Sequence, residues 1–379
     1  MERLASLDAF RGFAIASMVL VNNPGDWAHL HAPLAHAPWN GWTFTDLVFP
    51  FFLFAAGVAM AISIDRRVKA SGTEGLVRDL ARRAVVIFAV GLVLNLVPAF
   101  DPSTVRIPGV LQRIALCILA AAPLAVHASR RAIVVSIAFL LALYAVLMLL
   151  VPVPGADGVV AAGRLEPGQD FGAWLDRHVL AGHLWIQSRT WDPEGIVSTL
   201  PAIASLLFGV LAGRALPGAR SGLAASGAML AAGAAGIAAG MVLDAALMPI
   251  NKNLWTVSYC VFMTGASLVT FAAFHAAMDT APSDAVRRTA RRLLLPLTIF
   301  GMNALFIFAL SGLAARLLGT IRVGDEGGRG VTLKAWLYAP IRALPLAPEN
   351  ASLIFAVAFG LVMFAAAWFM WRKRWFVTA

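Results

Sequence analysis

Ten long apolar runs separated by short polar segments organise this chain. They cover 10–24, 44–64, 80–98, 109–127, 131–152, 196–214, 222–246, 254–277, 294–318 and 351–372. Most approach the length a helix needs to cross hydrocarbon, and in lipid a helix satisfies its own backbone groups. The pattern predicts an all-α polytopic membrane helix bundle of about ten transmembrane helices, forming one domain over 1–379. Two longer polar stretches, 153–195 and 319–350, read as extracytoplasmic loops, with 333–347 as an interfacial or re-entrant segment. The first run is short, is preceded by Asp8 and Arg11, and is followed by no small-residue cleavage site. It therefore reads as an uncleaved helix. The Ala/Gly-rich run 222–246 favours close helix packing and offers a homodimer surface.

Charge changes the picture only in its placement. The net charge of +10 would suit nucleic acid, but 19 of the 30 Lys and Arg residues fall in short segments on alternate sides of the runs. These are Arg3, Arg11, six residues in 65–83, Arg130, Arg131, Arg214, Arg220, four in 287–292, and 372–374. The asymmetry is the positive-inside pattern, with both termini cytoplasmic and an added attraction for anionic membrane lipid rather than nucleic acid. Cys117 and Cys260 both lie in apolar runs, so no disulfide framework is expected in the outer loops.

Chemistry concentrates in 22–50 (NNPGDWAHLHAPLAHAPWNGWTFTDLVFP), which holds three of the seven histidines, His29, His31 and His36. An imidazole here accepts and returns a proton near neutral pH, or attacks an acyl group. Metal binding is the weaker reading, because zinc needs three or four convergent ligands. Asp46 precedes an apolar run and is expected to be buried against a partner, orienting His36 or, with Thr45 as the other candidate, capping the second helix. On the opposite side, Arg11, Arg82 and Arg83 suit a polyphosphate, although topology alone also places arginines there. Gln112, Arg113 and Asn303 lie inside apolar runs and should face the bundle interior. Trp39, Asn40, Trp174, Asp192, Glu194, Asn251 and Lys252 gather on the His36 side as candidate acceptor contacts, with Trp255 reading as an interfacial-belt residue. The stretch VGDEGGRG at 323–330 reads as a flexible connection or lid.

The blocks RLASLDAFRG, HAPWNGWTFTDLVFPFFLF, VRIPGVLQR, DPEGI, NKNLWTVSY and PLTIFGMNA, together with Val21-Asn22, PVPG and DFG, occur in one order along the chain. In this the sequence resembles the heparan-α-glucosaminide N-acetyltransferase family of transmembrane acyltransferases, including its bacterial members. The resemblance implies transfer of acetyl from cytoplasmic acetyl-CoA, as co-substrate and without a metal, to an amino sugar on the far side of a bacterial inner membrane. It places the family's active histidine on His36 and its active-site asparagine on Asn22. Arg11, Arg82, Arg83, Arg113 and Asn303 become the candidate acetyl-CoA contacts or oxyanion donors. The longer Asn22–His36 spacing puts His29 and His31 in an insertion. The outer loops are shorter and lack cysteine, which points from heparan toward an envelope glycan. The rival reading is a transporter for a sugar or small metabolite, against which no inverted halves are found.

Overall fold

A computed structural model describes residues 4–216, 222–324 and 330–377. Arg3, Arg220 and most of the 323–330 stretch expected to act as a lid lie outside the described residues. The chain begins with α1 (Ala5–Val21), α2 (Phe44–Ser71), α3 (Leu76–Leu96), α4 (Val110–His127) and α5 (Arg130–Leu150). After a short hairpin, β1 (Val153–Pro154) and β2 (Val160–Ala161), come α6 (Phe171–Val179), α7 (Thr199–Ala215), α8 (Leu223–Ala246) and α9 (Val257–His275). The last part holds α10 (Asp284–Leu293), α11 (Leu295–Met302), α12 (Ala304–Thr320), hairpin β3 (Arg322–Val323) and β4 (Val331–Thr332), α13 (Leu333–Arg342) and α14 (Pro348–Arg372).

Six of these helices are long and apolar enough to cross a membrane: α2, α4, α5, α8, the α9 segment through Thr280, and α14. The run at 294–318 is not one straight helix. It breaks at Asn303, where α11 and α12 meet at 82°. Counted as one span, this pair makes a seventh. The stretches 153–195 and 319–350, expected as outer loops, carry structure of their own, α6 after one hairpin and α13 after the other.

Helices α1, α2 and α9 meet around Phe10, whose ring lies 5.5 Å from both Phe51 and Phe271. Close approach of α2 and α7 depends on Gly57 and Gly209. A Cβ on Gly57 would run into the Leu206 carbonyl, and one on Gly209 into that of Phe54. Small residues buy close contact between membrane helices, where water exclusion contributes little to association. This seam fixes the start of α7 beside the first turns of α2.

The layer at the His36 end is polar and tightly bonded. Arg106 forks onto Asp192, with Nε at 2.8 Å from Oδ2 and Nη2 at 2.5 Å from Oδ1, and also reaches Glu194 Oε2 at 2.5 Å. Asp192 further accepts the Trp185 and Glu194 amides at 3.0 and 2.9 Å. Asp170 caps α6 by accepting from the Ala173 amide at 2.9 Å. Asp176, on the inner face of α6, accepts the Ile196 amide at 2.9 Å. Burial pushes its carboxyl up from 3.8 to about 7, against the Ile196 hydrogen bond and with added repulsion from Asp192 and Asp170.

Two outcomes follow from this packing. Gly57→Leu is expected to cost at least about 1–3 kcal/mol through overpacking, read as a lower thermal midpoint or loss of monodisperse protein in detergent. An unchanged midpoint would contradict the close α2–α7 seam. The raised Asp176 value means that the folded chain keeps a proton which the unfolded chain releases between about pH 4 and 7. Stability is therefore lost as pH rises through that window. Asp176→Asn should match the parent near pH 4 and melt a few degrees higher above pH 7. Parallel melting curves for both proteins across that range would refute the assignment.

Candidate active site

Asp46 is the third residue of α2, in a capping box whose N-cap is Thr43 rather than Thr45 or Asp46 itself. Asp46 is 1% exposed, and both of its carboxylate oxygens are hydrogen-bonded. Oδ2 accepts the Ala37 amide at 3.0 Å and the Thr43 amide at 3.0 Å, while Oδ1 faces His36 Nδ1 at 2.6 Å. The helix-entry role and the His-orienting role expected separately for Asp46 thus coincide in one group. A carboxylate only accepts, so Nδ1 carries a hydrogen, and in the neutral ring Nε2 is the nitrogen with the lone pair. His36 is half-buried, with its reactive edge reachable.

The loop around His36 is held from both sides. Thr43 Oγ1 donates to the Ala35 carbonyl at 2.5 Å, and the Tyr259 hydroxyl donates to the Asp46 carbonyl at 2.6 Å. Gly41, at φ +92°, donates its amide to the Ile250 carbonyl at 2.7 Å, and Asn251 Nδ2 donates to Asn40 Oδ1 at 3.1 Å. These contacts bring the 250–255 turn over the histidine. Lys252 Nζ then lies 3.3 Å from both ring nitrogens of His36. Burial pushes the Lys252 ammonium below its ordinary value, opposed by Asp46 and Glu194. Burial alone would raise Glu194, but Arg106, Arg113 and Lys252 outweigh it and hold the carboxyl low. Arg106 is pushed up despite burial by the two carboxylates it grips.

Arg113 lies beneath this layer, 1% exposed, with its guanidinium 5.2 Å from the Trp255 ring centre. It donates to Ser198 Oγ and, at 3.3 Å, to the Gly195 carbonyl. Among the described residues its Nε and Nη1 have no partner. Gln112 is likewise buried, so both face inward as their positions implied. Trp255 is also 1% exposed and packs in the interior, not in an interfacial belt as the sequence suggested.

The remaining expected residues spread over three places. At the opposite end, a cavity of about 420 Å³ is lined by Arg11, Arg66, Arg83, Asp8 and apolar side chains of α2, α3 and α4. Arg82 is not part of that lining, and Arg66 was not anticipated, although it continues the α2 face of Ala59 and Ser63. Asn303 is buried between the lining residues Met302 and Ala304 and is not itself part of the lining; its side chain donates to the Trp375 carbonyl at 3.0 Å and accepts the Val377 amide at 2.8 Å. Asn22 lines a separate cavity of about 460 Å³ with Trp27, Arg316 and Lys334. No bond joins Asn22 to His36 among the described residues. Trp39 donates to the Leu165 carbonyl at 2.9 Å and packs edge-on against Trp191, while Trp174 stacks beside His178 on α6. His29 and His31 are bonded to Asp26 and Asn350, apart from His36.

This arrangement suits proton transfer or attack by His36 Nε2 beside a cation, with a second, arginine-lined cavity at the other end of α2. Comparison with known proteins points the same way. The family profile described as heparan-alpha-glucosaminide N-acetyltransferase, catalytic, matches residues 3–231, which include Asn22, His36, Asp46 and Arg113. A protein named heparan-alpha-glucosaminide N-acetyltransferase from Homo sapiens is 30% identical over 315 residues, covering 68% of this chain and 46% of that protein. Its Mus musculus counterpart is 29% identical over 314 residues, with the same coverage. The chain spans about half the length of the curated relatives it matches. On the match of more than half its length, the chain belongs to the heparan-alpha-glucosaminide N-acetyltransferase family.

Proposed function

We propose that this chain is a transmembrane N-acetyltransferase that moves acetyl from cytoplasmic acetyl-CoA to a glucosamine-like amino group on the far side of a bacterial inner membrane. The observation that carries the reading is His36, held through Nδ1 on the buried Asp46, with Nε2 beside Lys252. Membership of an N-acetyltransferase family supports it. In this reading the chain passes the membrane ten times, with the Arg11 end cytoplasmic. The 420 Å³ cavity receives acetyl-CoA, because forked guanidiniums of Arg11, Arg66 and Arg83 match phosphate geometry above an apolar wall. Arg82, one helical position from Arg83, adds long-range attraction, and Asn303 lies between two of the lining residues.

At the far end, the acceptor amine attacks the thioester carbonyl while Nε2 of His36 removes one amine proton. The carbon–nitrogen bond forms, negative charge develops on the carbonyl oxygen, and the carbon–sulfur bond then breaks. CoA leaves as thiolate and takes the proton from His36, so charge and protons balance. Lys252 and the unpaired Arg113 donors are the cations available to the oxyanion, with Asn22 assigned there by the family resemblance. Asp46 keeps Nδ1 protonated and steadies the imidazolium that forms between the two steps. Trp39, Asn40, Glu194 and Asn251 wall the acceptor end, with Trp174 further out on α6. Asp192 acts through Arg106, since its oxygens are already occupied.

Purified protein should form N-acetylglucosamine from acetyl-CoA and glucosamine. His36→Ala should lose about 10²–10⁴-fold in rate, the range for a positioned general base, with the thermal midpoint kept. Sugar flux that persists in His36→Ala without any CoA release would replace this reading with a transporter. Direct transfer further requires that acetyl-labelled CoA alone leave no acid-labile label on the protein. Stoichiometric label that glucosamine discharges would instead make His36 the acetyl carrier.

A further inference from the structure

We propose that residues 375–377, which follow α14, form a strap that walls the arginine-lined cavity, and that Asn303 ties the strap in place. Asn303 is then a positioning residue, setting affinity for the acyl donor without touching it. The inference rests on the reading of that cavity as the acetyl-CoA site and concerns what holds its wall.

The end of α14 turns the chain back on itself. The Arg374 amide donates to the Trp371 carbonyl at 3.0 Å, and the Trp375 amide donates to the Met370 carbonyl at 2.9 Å. This bond pair ends a helix on a left-handed residue, ordinarily a glycine, with an apolar contact across the turn. Here the contact is Trp375 edge-on to Phe369 at 5.8 Å. The left-handed residue is Arg374, at φ +58°. A side chain costs free energy in that conformation, which persists where the surroundings enforce it.

Asn303 supplies that hold. It is buried at the elbow where α11 and α12 meet at 82°. Its Nδ2 donates to the Trp375 carbonyl at 3.0 Å, and its Oδ1 accepts the Val377 amide at 2.8 Å. A carbonyl and the amide two residues on are what a strand presents along one edge, so the side-chain amide pairs as a neighbouring strand would. A backbone carbonyl only accepts and a backbone amide only donates, which fixes the orientation of the Asn303 amide. An aspartate could make only the second bond.

The same elbow shapes the cavity. Met302, Ala304 and Leu305 line it from the elbow, and Phe376 and Val377 line it from the strap. Two residues before Asn303, the Gly301 carbonyl accepts from Arg11 Nη2. One break in the helix therefore positions both a phosphate-binding guanidinium and the strap beside it. Asn303 spends its amide on the strap, so the direct contact with acetyl-CoA expected from the sequence gives way to an indirect one. Without the two bonds, the strap leaves and the cavity loses a wall. His36, at the other end of α2, keeps its partners.

The test uses the parent, Asn303→Ala, Val377→Pro, a chain ending at Arg374, and that shortened chain carrying Asn303→Ala, all in detergent. Equilibrium dialysis with labelled CoA gives Kd, and N-acetylglucosamine formation from acetyl-CoA gives kcat and KM. Asn303→Ala and the shortened chain should each weaken CoA about tenfold, as expected for two hydrogen bonds of modest net worth, and Val377→Pro, which removes one, about threefold. KM should rise in step, with kcat within about twofold of the parent. In the shortened chain, Asn303→Ala should add less than about twofold, because nothing remains to be tied. A full second loss there would make Asn303 a structural residue and overturn the strap. So would parental CoA affinity in Asn303→Ala and Val377→Pro. A parent that binds no CoA overturns the reading of the cavity, and the strap with it. Should Asn303→Ala not fold, parental affinity in both Val377→Pro and the shortened chain still overturns the proposal.

Discussion

The rest of the site depends on the way one buried carboxylate is satisfied. An ionised group with 1% exposure is tolerable only when it is well hydrogen-bonded, and Asp46 is engaged by three donors, from His36, Ala37 and Thr43 of one loop. Each donor does positional work. The Thr43 amide starts α2, the Ala37 amide fixes the strand of loop that follows His36, and His36 itself is aimed. Removing the carboxylate would therefore loosen a helix entry, a loop and an imidazole together. This explains why so polar a segment can sit at the mouth of an apolar helix: its charge is consumed internally.

A second network extends the first. Lys252 bridges the field of Asp46 to that of Glu194, and Arg106 closes the chain by gripping Glu194 and Asp192. Alternating signs let five buried or half-buried charges coexist where isolated ones would neutralise. The glycine seam between α2 and α7 makes the network geometrically feasible. It draws the start of α7, with Ser198 and Gly195, against the Arg113 side chain. Backbone packing in the apolar layer thus decides where the polar layer can bond.

Much of this was legible in the sequence because it rests on local signals. Apolar periodicity gave the helices, and an aspartate beside Leu47 and Val48 announced a buried group with a partner. Gln112 and Arg113 announced an inward face. The parts that escaped are long-range. Arg106 is separated from Asp192 by 86 residues, and Trp39 from Leu165 by 126, so neither pairing has a sequence period. Trp255 was read by composition as a belt residue, yet its positive φ reverses the direction of the indole, and no propensity encodes that reversal at a tryptophan. Asn303 sits in an unbroken apolar run, where only tertiary contacts with 375–377 reveal a break. Asn22, expected beside His36, lines another cavity because α1 ends before the loop folds back over α2.

Between the arginine-lined cavity and the polar layer at His36 lies a layer packed with aromatic rings. Charge stands on both sides of it, on Arg11, Arg66 and Arg83 at one end and on Asp46, Lys252 and Glu194 at the other. Phe49 and Trp255 occupy about one and a half helical turns. The charge that lies against the indole at that depth is Arg113, whose guanidinium does not give up its proton. A neutral histidine or carboxylate at the same place would relay protons. A guanidinium can donate hydrogen bonds while remaining a barrier to cations. Arg113 Nε and Nη1, buried and without a hydrogen-bond partner among the described residues, are costly to the fold, and the indole face beside the guanidinium offsets part of that cost.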